Sequence, residues 1–210
     1  MRLAGLKTSI LSLVVLAGFA LVPAASADSL TFNLNANNLG ISGSIGTVTI
    51  ADTGVAGQVK VTIAMNSGFS VKLNGGDFAF NGASGLSLGA VSQLTADGHT
   101  GLNFDHLKTT QNVSQFGTFA FDFTNVKGAP HGVVSANTVT FLLTANGLSA
   151  SNFSGVSIHF CTASGSNCGP NTGFALATPE TPTVPEPSTL GMLGTGLIGL
   201  AGVVRRRFVS

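Results

Sequence analysis

The stretch TADGHTGLNFDH places Asp97, His99, Asp105 and His106 within ten residues of one another. Carboxylates and imidazoles so close together could hold a divalent metal or pass a proton. The same letters are also ordinary turn chemistry, because Asp-Gly sets a tight turn and its polar neighbours then face water. We read the stretch as a loop. A second candidate is the pair Cys161 and Cys168, which encloses TASGSN. In an exported chain an even pair at this spacing favours a disulfide. One rival is a metal pair with His159, two residues before Cys161, but C-x6-C matches no compact zinc knuckle and no second Cys pair completes four ligands. Another is a catalytic thiol with His159, which would need an exported nucleophile to stay reduced. A Ser-His-Asp site lacks its GxSxG elbow, and DTGVAG and Asn74-Gly75-Gly76 lack the strand-to-helix setting of a phosphate loop. The sequons at Asn112 and Asn152 carry little weight in a chain so rich in Ser, Thr and Asn. No catalytic residue, metal or cofactor is expected, and the chain is read as not an enzyme.

The elements that must position these residues are strands. In SIGTVTIAD the apolar Ile45, Val48 and Ile50 are interleaved with Thr47 and Thr49, and QVKVTIAM alternates Val59, Val61 and Ile63 with Lys60 and Thr62. Period-two alternation marks half-buried strands, and the glycines of DTGVAG make the pair a hairpin. Comparable runs occur at LTFNLN, FSVKL, DFAFN, LSLGAVSQL, FGTFAFDFTNV, NTVTFLLTA, GVSIHF and TGFALA, which gives ten expected strands. FGTFAFDF sets Phe119, Phe121 and Phe123 on one face against Thr118, Ala120 and Asp122 on the other, so the aromatic face should fill a core. Helical spacing is confined to LSASNF, where Ser149 or Ser151 could cap a short turn. The expected fold is all-β: one antiparallel β-sandwich, jelly-roll or immunoglobulin-like, over residues 28–178.

Composition narrows the partners. Between Asp28 and Thr183 there are seven acids and four lysines, a net −3, whereas the whole chain carries +1. That region has no arginine and its lysines are scattered, so nucleic acid is not an expected partner. The chain has no Trp and no Tyr, the rings that usually stack on sugars, which weakens a lectin reading.

Both ends carry addresses. Arg2 and Lys7 precede ILSLVVLAGFALV, which is followed by Pro23 and AASA. This is the pattern of a secretory signal peptide over residues 1–27, with cleavage between Ala27 and Asp28 by signal peptidase after passage through the Sec translocon. A permanent membrane helix is the rival, but the run is shorter than the ~20 residues of a span.

At the other end, a Pro-rich linker (179–189) leads into LGMLGTGLIGLAGVV (190–204), which is uncharged. Read as a transmembrane helix, its 15 residues reach roughly 22 Å. Arg205, Arg206 and Arg207 in the short tail 205–210 can snorkel and act as a membrane stop, keeping that end cytoplasmic. Gly191, Thr195 and Gly199 form a small-residue stripe that lets another helix approach. A plain anchor on an extended linker is the alternative.

VPEPSTLGMLGTGLIGLAGVVRRR resembles the C-terminal sorting tail of PEP-CTERM proteins, at Pro185-Glu186-Pro187, at Ser188-Thr189, at the glycine-bearing helix and at the arginine cluster. The resemblance covers only this tail. It implies recognition by exosortase, a membrane-embedded protease-transpeptidase of Gram-negative bacteria that make extracellular polysaccharide. It also implies a transient membrane anchor, then release or transfer of the domain to the cell surface or matrix. GPNTGFALA is similar to β-rich domains often found ahead of such tails. The functional expectation is a non-catalytic surface or matrix protein associated with exopolysaccharide and biofilm. A polysaccharide-binding module is the alternative, and an exported hydrolase relying on Asp97, Asp105 or His106 comes last.

Overall fold

The computed structural model describes residues 28–83, 86–88, 91–163, 165 and 167–177. The signal segment 1–27, the linker, the apolar run 190–204 and the arginines fall outside them, as do the sorting residues Pro185 to Pro187. Among the described residues no helix is long and apolar enough to cross a membrane.

Val48 and Ile50 of β3 (Gly46–Asp52) and Val61 and Ile63 of β4 (Gln58–Met65) are fully buried, and the strands pair antiparallel with Val48 opposite Ile63. The same alternation builds β11 (Thr138–Thr144), which lies between β4 and β7 (Val91–Ala96). Ahead of β3 come β1 (Ser29–Asn33) and β2 (Ala36–Asn37). The remaining long strands are β6 (Asp77–Gly82), β8 (His99–Val113), β9 (Gly117–Lys127), β12 (Phe153–Cys161) and β13 (Thr172–Ala177). Two short ones, β5 (Ser70–Lys72) and β10 (Ser135–Ala136), pair with each other, and β5 also pairs with β12. All pairings are antiparallel, and the order runs β1-β3-β4-β11-β7-β8-β9-β6-β12-β13-β2.

Two segments turn this order into a curl. β8 gives its first residues to β7, with Leu94 opposite Leu102, and the rest to β9, from Asn103–Lys127 to Val113–Gly117. At the ends of the path, β1 and β2 are successive parts of one segment, so the first strand and the last are brought together. Buried Leu34 makes the bend, its N–H donating to Gly46 and its carbonyl accepting from Ile45. Curling places the two halves face to face. Phe80 of β6 meets Phe141 of β11 at 6.3 Å, Phe123 of β9 meets Phe141 at 6.0 Å, and Phe104 of β8 meets it at 5.2 Å. What the structure shows is thus an all-β antiparallel sheet curled around a phenylalanine-rich core.

Three expectations need correction. The DGHTGLNFDH region is not a loop beyond its first two residues: it enters β8, the longest strand. Its alternation is weak because most of its side chains face water. The run LSLGAVSQL is a strand only from Val91, residues 86–88 being irregular. Finally, Phe119, Phe121 and Phe123 are all buried, but not together. Phe121 and Phe123 belong to the main core, while Phe119 joins a second cluster with Ala79 and Val113, flanked by Phe116, Phe174 and Leu176. Ala79 lies between the core residues Phe78 and Phe80, so it points away from the main core, and Phe119 packs on that outer side. The break in alternation falls where Thr110 of β8, level with Ala120, takes a left-handed conformation (φ 59°).

LSASNF does form one 3-10 turn, Ala150–Asn152, with Ser149 at its N-cap. Its first amide is satisfied from a distance, Ala150 N–H donating to Asp52 Oδ1 at 2.8 Å. Asn152 Oδ1 in turn accepts the Ser149 N–H at 2.7 Å.

Candidate functional site

The four residues that drew attention in the sequence are split among separate tasks. Asp97 and Gly98 are the two central residues of the β7–β8 hairpin, both with positive φ (46° and 82°), as a two-residue turn of this hand requires. The Asp97 carboxylate then reaches across to β11. Oδ2 accepts the N–H of Asn137 at 2.9 Å and Oδ1 that of Thr138 at 2.7 Å. It is a backbone clamp. His99 starts β8 on the exposed side.

Asp105 lies in β8, where Lys127 Nζ meets its Oδ1 at 2.6 Å and Asn125 Nδ2 donates to its Oδ2 at 3.2 Å. His106 Nε2 sits 3.4 Å from the same Oδ2 and is largely exposed. The hydrogen bond from Lys127 holds the Asp105 carboxyl below its usual range, aided by Asn125 and the neighbouring charges and opposed by partial burial. Among the described residues no group of three or more His, Cys, Asp or Glu is placed to hold a metal ion.

Cys161 and Cys168 are joined by a disulfide, with Cα atoms 5.2 Å apart. The bridge closes the loop between β12 and β13, and the loop is fastened to the rest of the sheet. Ser135 Oγ donates to the Gly165 carbonyl at 2.8 Å, and Gly165 N–H donates to Asn137 Oδ1 at 3.1 Å. His159 turns to other partners than the cysteines: its Nδ1 lies 3.5 Å from Asp77 Oδ2, and its ring stacks on Phe174 at 4.3 Å.

The structure also assembles a group that sequence reading passed over. Cross-strand register aligns Lys108 of β8, Asp122 of β9, Ala79 of β6, Ser157 of β12 and Leu176 of β13 in one row on the outer face. Asp77 and His159 lie in the next row. Asp122 is fully buried; its Oδ1 accepts the Phe78 N–H at 3.1 Å, and its Oδ2 has no partner among the described residues. Among the described residues, Ser157 Oγ and His159 Nδ1 are likewise buried without a hydrogen-bond partner, the 3.5 Å approach of Asp77 Oδ2 to the Nδ1 being an ionic contact only. Desolvation, then the negative charge of Asp77, pushes the Asp122 carboxyl up to about 6, against the pull of the Phe78 amide and Lys108. The available signal was the lone Asp inside FAFDF, a charged residue in an otherwise apolar strand.

Comparison with known proteins finds one match, and it lies in the tail. No curated protein matches the chain, and no solved structure does. The PEP-CTERM protein-sorting motif matches residues 183–207, which include Pro185, Glu186, Pro187 and the three arginines. This chain therefore ends in a PEP-CTERM protein-sorting motif, which makes exosortase its implied processing partner and the cell surface its implied destination.

Proposed function

We propose that the chain is a surface or extracellular-matrix protein of a Gram-negative bacterium, in which the β domain is non-catalytic cargo and the tail a transient membrane anchor removed by exosortase. The observation that carries this reading is the sorting motif at residues 183–207. The reading of the domain as cargo is supported by the roles of its acids: Asp97 clamps backbone amides and Asp105 is neutralised by Lys127. The facing halves, joined through Phe80 and Phe141, support describing the domain as sandwich-like. An association with exopolysaccharide and biofilm agrees with a chain in which only 8% of residues are charged.

A substitution set separates sorting from plain anchoring. Pro185, Glu186 and Pro187 precede the apolar run and contribute almost nothing to insertion, so a simple anchor would ignore their loss. A protease that reads them would not. In a strain with active exosortase, changing all three to Ala should leave export intact. The uncut form should accumulate in the inner membrane about 2 kDa larger than the processed one, roughly a tenth of the chain's 21.1 kDa. Identical processing of the two proteins would leave only the anchor.

A further inference from the structure

The buried outer row around Ala79 has no part in sorting. Asp122 and Ser157 flank Ala79 on either side, and both carry oxygens with almost no exposure and no partner among the described residues. An unpartnered polar atom at such a depth is costly and needs an explanation. The cover over this row is the tip of the β8–β9 hairpin, whose Val113, Phe116 and Phe119 close on Ala79, Phe174 and Leu176.

That cover is held by little. β9 leaves the β6 ladder after Phe121, which pairs with Phe80. Beyond that point the Asn81 carboxamide reaches across, accepting the Ala120 N–H at 3.0 Å and donating to the Thr118 carbonyl at 3.4 Å. Opposite Ala120, Thr110 takes a left-handed conformation (φ 59°). The apolar cluster beneath has three fully buried members, Ala79, Val113 and Phe119, against the large connected core on the other side of the sheet. Segments with few buried contacts open first.

We propose that the tip of the β8–β9 hairpin, residues 109–121, is a proton-controlled flap that stays closed over β6, β12 and β13 while Asp122 is protonated and is released when Asp122 ionises. The charged and titratable groups on the elements around it are Asp77 on β6, Lys108 on β8 and His159 on β12, with none on β13; His106 of β8 lies in the row of Asp77, and His99 and the Asp105–Lys127 pair of β8 and β9 lie further from the tip. Asp77 disfavours the carboxylate, and Lys108 only partly offsets it. The direction follows from linkage. The closed form holds its proton up to about pH 6, whereas an exposed aspartate loses it near 3.8. Closure is therefore fully favoured below the lower value and weakens as pH rises through the upper one.

Hydrogen exchange of the full-length protein in detergent micelles, read by mass spectrometry between pH 4.5 and 7.5 and corrected for intrinsic rates, tests this. A two-stranded ribbon that has left its cover is marginal in water and frays, so protection of peptides spanning 109–121, whose amides pair within the hairpin, should fall roughly tenfold or more with rising pH, while β3 and β4 keep theirs. Asp122→Asn should keep the tip protected at both ends of the range. Asn81→Ala should open the tip at every pH without moving the midpoint. A tip whose protection ignores pH, an unchanged pH profile in Asp122→Asn, a shifted midpoint in Asn81→Ala, or a loss shared equally by β3 and β4 would each overturn the flap.

Discussion

Asp97, Asp105 and Asp122 are one side chain in three settings, and the donors around each decide its part. Asp97 answers two backbone amides from an exposed turn and sits at a positive φ. Asp97→Ala should therefore destabilise the domain by about 1–2 kcal/mol, combining a lost carboxylate cap with the left-handed strain placed on Ala. His99→Ala and His106→Ala, which remove exposed imidazoles, should stay within about 0.5 kcal/mol. Urea midpoints of the three variants check this ordering, and equal midpoints would remove the clamp. Asp105 is held below its usual range chiefly by Lys127. A depressed carboxyl contributes stability above its unfolded value of 3.8 and loses it as pH falls through the lower folded value. Lys127→Ala should thus lower stability modestly at neutral pH, and the gap to wild type should close in acid. A gap that is constant from pH 7 to pH 2 would show that the ion pair contributes nothing.

At the scale of elements, the β12–β13 connection is stapled at its base, and its loop is tied to β10 through Ser135 and to the β10–β11 junction through Asn137. Closing a loop of sequence separation 7 lies at the low end of disulfide stabilisation, about 2 kcal/mol. Replacing Cys161 and Cys168 by Ser should lower stability by that amount, seen as a fall in the guanidinium midpoint. No change in midpoint would mean that the hydrogen bonds hold the loop without the bridge. β6 ends where Gly82 adopts φ 94° against the carbonyl of Asn152. A Cβ there would meet that backbone oxygen, so Gly82→Ala should cost at least about 1–2 kcal/mol and disturb the start of β12. Melting curves that superimpose would show that the junction can shift.

For the molecule as a whole, stability rests on rings that connect the two halves of the curl. Phe80 touches Phe123, Phe141 and Phe153, which come from three other strands. Phe80→Ala should cost about 3–5 kcal/mol through lost transfer energy and the cavity left behind. Phe119→Ala removes the same atoms from the small outer cluster, where the flap can close up, and should cost clearly less. Thermal unfolding that ranks Phe119 above Phe80 would place the main core on the wrong side of β9.

Where one face is dry and the other wet, alternation appears in the letters, and so β3, β4, β11 and most of the buried phenylalanines were legible from sequence. So were the cysteine pair, because spacing and export favour a bridge, and the sorting tail, because its signal is linear and is read as a linear string. β8 was not legible. Its side chains mostly face water on a strand fixed by its two neighbours, which leaves hydrophobicity no pattern to write. The outer row of Asp122, Ala79 and Ser157, with His159 in the next, was equally hidden, because it unites residues from strands far apart in sequence through cross-strand register alone. Likewise, the separation of Phe119 from Phe121 falls level with Thr110, whose left-handed conformation no local propensity announces. Tertiary structure decided these points because burial is a property of what lies on top of a residue, and here the covering residues come from the far end of a hairpin.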